Sequence, residues 1–228
     1  MGFKGVMMPG RPATEFDYDD PQFDPLWRAS VELDLPISFH IGSGAMPVSA
    51  MIDRIATYGR AATYTMGAIT LLLQNGRQVS DLLMSGVLAH YPTIKFVSVE
   101  SGIGWIPFVL EAMDYQFHGN NVREERPEFD LLPSEYFARN VYACCSFERT
   151  ALRRLIDEIG ADNVLFETDF PHPTSLYGEE VHTRIEGGLS DCEETIRRKI
   201  LWQNAQELYK VTDPSAEDEA KRLAGNAS

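Results

Sequence analysis

Cysteine is scarce in this chain, and where it occurs excludes a disulfide framework. The three cysteines of the 228-residue sequence, Cys144, Cys145 and Cys192, have neither an even count nor metal-ligand spacing, so reduced thiols in a reducing compartment are expected. Positive charge is scarce too: 20 Lys and Arg stand against 34 Asp and Glu, a formal charge of −14 with a pI near 4.7. Nucleic acid and anionic membrane surfaces call for a Lys/Arg excess that displaces counterions, so neither is expected as a partner. Long apolar runs are missing. The longest nearly apolar stretch, Met66 to Leu73, falls far short of the ~20 residues that span a bilayer and reads as buried helix. The opening Met1-Gly2-Phe3-Lys4-Gly5-Val6 has no signal-type apolar region, and Val6 stands where myristoylation needs Ser or Thr. A phosphate-cradling loop is absent as well: Gly42-Ser43-Gly44 lacks the G-x-G-x-x-G spacing because Pro47 holds its last position. A cytoplasmic enzyme acting on a small molecule fits what remains.

What is present is an alternation of strand and helix. With 44% hydrophobic residues the chain can bury the core of one domain, close in size to a (β/α) barrel of ~250 residues. Strand patterns run over Phe3 to Met8, Ile37 to Ile41, Ile94 to Val99, Val141 to Cys145 and Asn163 to Phe166. Between them, helical spacing links Leu26, Trp27, Val31 and Leu35; then Val79, Leu82, Leu83, Gly86 and Val87; then Ile106, Val109, Leu110, Met113 and Phe117. Asn75-Gly76 is expected to break the long second helix, and residues 118 to 139, rich in charge and proline, to form an irregular excursion. Leu152 to Ile159 and Cys192 to Tyr209 give two more helices, and residues 212 to 228 a polar tail. Five strands joined by helices imply parallel pairing, either in a doubly wound sheet or in a barrel.

Three of these strands release a polar residue at their C-terminal end, where barrel enzymes collect their chemistry: His40, Glu100 and Asp169. Imidazole and carboxylate together suit a divalent metal that keeps an open coordination position. His40 is preferred as a ligand over a core histidine, and Asp169 as a ligand over a loop cap. Glu100 divides between a catalytic acid and an acceptor for loop N–H groups, and His172 between orienting Asp169 and packing. Arg11 suits a substrate carboxylate or a surface ion pair, and Trp105 a pocket wall or the core. His90 is expected in a last helical turn, where a cation complements the dipole, and His118 and His182 in solvated loops.

Four segments in this order, ISFHIGSG, YPTIKFVSVESGIGWIPFVLEAMD, NVLFETDFPHPTS and KILWQNAQELYKV, resemble the C-terminal strands of the amidohydrolase-related family. The likeness is to its aminocarboxymuconate semialdehyde decarboxylase-like branch and extends from Gly2 to about Val211. It implies a TIM-type (β/α) barrel of which residues 1–211 supply about strands 4 to 8. His40 and Asp169 are then metal ligands, with zinc the first expectation and manganese the second. Asp169, Glu100 and His172 are then the catalytic set, with Arg11 and Trp105 as substrate contacts. Hydrolysis of a small organic substrate by metal-activated water is the first reading, and non-oxidative decarboxylation the alternative. Two departures qualify the resemblance. No His-x-His strand precedes Gly2, so the chain reads as N-terminally truncated, with inactivity or self-association into a homo-oligomer as possible consequences. Glu100 also stands where the decarboxylases carry histidine.

Overall fold

The computed structural model describes residues 2–10, 12, 15–42 and 54–211. Arg11 and the 212–228 segment lie outside the described residues. Five strands form one parallel sheet: β1 (Val6–Met8), β2 (Ile37–His40), β3 (Phe96–Val99), β4 (Val141–Cys145) and β5 (Val164–Phe166). Their order in space is β1-β2-β3-β4-β5, the order of the sequence. A doubly wound sheet would reverse direction at a switch point. An order that never reverses is the arc of a (β/α) barrel, so the second of the two expected architectures holds.

Along β2 to β5 both faces of the arc are largely buried, which is why those strands read as nearly continuous apolar runs. On one face Ile37, Phe39, Phe96, Val141, Ala143, Cys145 and Val164 join the main core. Phe39 and Phe96 stack there with ring centroids 5.3 Å apart. Val97, Cys144 and Leu165 point to the other face with Val99 and Tyr142, where Ala205, Leu208 and Tyr209 of the last helical segment cover them.

The main helices are α1 (Asp24–Leu33), α2 (Arg60–Met84), α3 (Ile106–Gly119), α4 (Pro133–Asn140) and α5 (Glu179–Leu189). Several expectations need correction. Asn75-Gly76 does not break α2, because both residues are buried and used there. The Asn75 amide donates to Phe39 O, Ser98 Oγ and Val99 O, and Gly76 leaves room for the Trp105 ring, 3.1 Å from where a Cβ would stand. The helix stops instead before Gly86, at φ 87°, leaving His90 in a separate turn, Val87–His90. The stretch expected to be irregular contains α4, and the loop after Asp169 contains α5, so His118 and His182 both lie on helices.

Three asparagines repeat one device at the N-terminal edge of the sheet. Asn140 donates to Pro92 O and Ile94 O, ahead of β3. Asn163 donates to Ala138 O and Val141 O at the start of β4. Asn204 donates to Ala161 O and Val164 O at the start of β5. Each amide spans two carbonyls at or just before the preceding strand's entry.

Candidate metal and acid–base site

The opposite edge gathers the residues with chemistry. His40 closes β2, Glu100 follows β3, and Glu167 and Asp169 follow β5. Glu100 and Asp169 both hold left-handed backbone, at φ 63° and 58°. Side chains with a Cβ seldom adopt that conformation, and it concentrates at functional sites where the surroundings enforce it. At Asp169 the enforcement comes from a compact turn. It is closed by His172 N donating to Asp169 O at 2.9 Å and Leu176 N to Thr168 O at 2.8 Å.

Glu100 is the hub. Its Oε2 lies 2.8 Å from His40 Nε2, and a carboxyl oxygen lies within 4.8 Å of one of Asp169. Asp169 Oδ2 in turn lies 3.5 Å from His172 Nδ1. One ligand atom each from Glu100, Asp169 and His172 fall within 4.8 Å of one another, the only such grouping of three among the described residues. His40 Nδ1 is 2.6 Å from Ile41 O, an acceptor only, so Nδ1 carries a proton and Nε2 faces the cluster. Burial raises the pKa of Glu100, and the nearby Asp169 charge raises it further, against the opposing pull of His40. Two carboxylates and imidazole nitrogen form a hard, mixed O/N donor set of the kind that takes divalent first-row metals.

Four of the residues singled out in the sequence are thus brought together: His40, Glu100, Asp169 and His172. Trp105 is half-buried beside the site, its Nε1 donating to Gly102 O at 2.9 Å and its ring packed on Gly76. Two acids were missed. Glu167 Oε1 accepts from Glu100 N at 2.8 Å, and burial pushes its pKa up to about 7. Glu148, beyond β4, accepts from Ile103 N and Gly104 N at 2.7 and 2.8 Å. Glu167 had one legible signal, its position two residues before Asp169 at a strand end. Glu148, in Ser146-Phe147-Glu148-Arg149, had none.

An acid and histidine cluster on the C-terminal edge of a barrel arc occurs in many enzymes, so the match of the whole sequence decides the family. The amidohydrolase family profile matches residues 1–211. The chain belongs to the amidohydrolase family. Among curated proteins, this amidohydrolase chain is 28% identical over 220 residues to the gamma-resorcylate decarboxylase of Polaromonas sp. (strain JS666 / ATCC BAA-500), covering 92% of this chain and 63% of the relative. It is 24% identical over 221 residues to the 2-amino-3-carboxymuconate-6-semialdehyde decarboxylase of Dictyostelium discoideum, covering 94% of this chain and 55% of that one. Among solved structures, the dihydroxybenzoic acid decarboxylase of Polaromonas sp. JS666, with bound manganese and the inhibitor 2-nitroresorcinol, superposes with a TM-score of 0.67 at 26% identity. That alignment covers 94% of this chain and 63% of the other. The amidohydrolase chain therefore spans a little over half of the length of these relatives. No helix among its described residues is long and apolar enough to cross a membrane.

Proposed function

We propose that this chain carries the metal- and proton-handling part of a non-oxidative decarboxylase acting on a small hydroxylated aromatic or unsaturated carboxylic acid. The observation that carries this reading is the Glu100, Asp169 and His172 cluster at the strand ends, in a chain aligned across 92% of its length with a decarboxylase. Hydrolysis, the first reading of the sequence, gives way to its alternative. Manganese replaces zinc as the metal of choice, supported by the manganese in the related structure.

In this reading His40 and Asp169, which both lie close to the Glu100 carboxyl, would hold the ion, and His172 orients Asp169. A divalent ion held there would supply Lewis acidity toward anionic oxygen. Glu100 is the acid. Its proton passes to the carbon bearing the carboxylate, the bond from that carbon to the carboxylate breaks, and carbon dioxide leaves while the ring recovers its electron pair. Solvent then reprotonates Glu100, so the net change is one proton taken up and one carbon dioxide released.

The test is to incubate the full chain with Mn²⁺ and 2,6-dihydroxybenzoate in D₂O. The expected result is carbon dioxide release with one deuterium at the vacated ring carbon. Glu100→Gln is expected to lower the rate at least about 100-fold, the usual worth of a positioned general acid, with Mn²⁺ still bound. Asp169→Asn is expected to lose the metal. Ester or lactone hydrolysis without carbon dioxide release, or no turnover of any hydroxybenzoate by the Mn²⁺-loaded chain, would overturn the proposal.

A further inference from the structure

The Glu100–Trp105 segment is neither strand nor helix, and two of its first three residues, Glu100 and Gly102, hold left-handed backbone at φ 63° and 69°. Its N–H groups therefore have no ladder or helical carbonyl to meet, and a buried N–H must find some other acceptor. The acceptors are two carboxylates reaching in from neighbouring units of the barrel. Glu167, beyond β5, takes Glu100 N at 2.8 Å. Glu148, beyond β4, takes Ile103 N at 2.7 Å and Gly104 N at 2.8 Å on a single oxygen, Oε1. Successive backbone N–H groups converging on one carboxylate oxygen form a concave cradle.

Two further observations say that this contact is more than filling. Glu148 Oε2 is shielded from solvent and has no hydrogen-bond partner, so the carboxylate is held at a cost that core packing alone does not explain. Gly102 has given up its side chain to the same group: a Cβ there would lie 2.8 Å from Glu148 Oε1.

We infer that Glu148 and Glu167 are positioning residues, a two-point clamp on the backbone of the Glu100–Gly104 loop that aims the Glu100 carboxyl at His40 and Asp169. The inference rests on the proposed role of Glu100 in the preceding section. Neither clamp residue is a catalytic residue; each acts through the loop. Glu167 fixes the amide of Glu100 itself, and Glu148 fixes the loop three and four residues on, so that Glu100 cannot rotate away when His40 and Asp169 take up an ion.

The test uses the full chain with Glu148→Ala, Glu148→Gln, Glu167→Ala and Glu167→Gln, since an amide oxygen can still accept the backbone N–H groups. Three readouts are taken: residue-resolved amide exchange, the ¹⁵N signal of the His40 imidazole without metal, and Mn²⁺ affinity by electron paramagnetic resonance. Glu148→Ala is expected to speed exchange at Ile103 and Gly104, and Glu167→Ala at Glu100. Both alanine variants are expected to shift the His40 signal and to weaken Mn²⁺ binding about tenfold, the usual loss when a residue supporting a metal site is removed. The glutamine variants are expected to restore all three. Exchange that quickens evenly along the chain, or a His40 signal that stays put in both alanine variants, overturns the clamp. A wild-type chain that takes up no Mn²⁺ overturns the metal reading instead, and the exchange and imidazole signals still decide the clamp.

Discussion

At Gly102 the whole case for a residue is its missing side chain. The left-handed φ of 69° costs an L-residue about 1–2 kcal/mol, and the Glu148 carboxylate adds a steric charge on top. Gly102→Ala is therefore expected to lower the stability of the chain by about 2 kcal/mol or more in urea denaturation, with the slope of the transition unchanged. A wild-type midpoint in the alanine variant would mean that the loop does not approach Glu148 so closely. The residues that carry the site were legible in the sequence to very different degrees. His40 and Glu100 stood out because each is the first strongly polar group at the end of an apolar strand, and Asp169 because it leads into Phe170-Pro171-His172 just past one. Glu148 and Glu167 did not, because an acid in a loop looks solvated until its partner is known. Their partners lie 45 and 67 residues away, beyond any local pattern.

Among the elements, the asparagines at the sheet's N-terminal edge do what turns and caps do elsewhere: each satisfies two carbonyls with one amide. Asn140 is fully buried, and truncating it strands Pro92 O and Ile94 O. Asn140→Ala is expected to cost about 1–3 kcal/mol, the penalty of a buried polar group left without a partner. Calorimetry would check it, and an unchanged melting temperature would deny the amide a structural role. Strand positions and the α1 and α3 helices were readable from periodicity, since burial of one face imposes it. The Asn75-Gly76 break was misread for a physical reason. Local propensity assigns both residues to turns, whereas here the amide is consumed by two strand ends and the bare Cα by an indole. The α5 helix was missed because most of its residues are exposed, so little apolar stripe marks it.

On the scale of the whole sheet, the sequential strand order leaves β1 and β5 at its two ends, unpaired with each other among the described residues. Near the first edge Phe3 and Met7 are 70% and 65% exposed. An open parallel edge with apolar side chains invites pairing with a further strand, and lysine is the usual deterrent. Light scattering of the full chain is expected to show self-association that Met7→Lys reduces. A chain that is monomeric at all concentrations would refute this. The barrel class was legible because helical crossovers force parallel pairing. The choice of an arc over a doubly wound sheet came from the polar residues at the strand ends and from the family resemblance, and the unreversed strand order bears it out.

The asparagine contacts also carry a direction in time. Each amide reaches back to a strand entry already made: Asn140 to the approach to β3, Asn163 to β4, and Asn204 to β5. A chain growing from its N-terminus thus latches each unit only when the next arrives. β5, which bears Asp169 beyond it, is latched last, by a residue some forty positions further on.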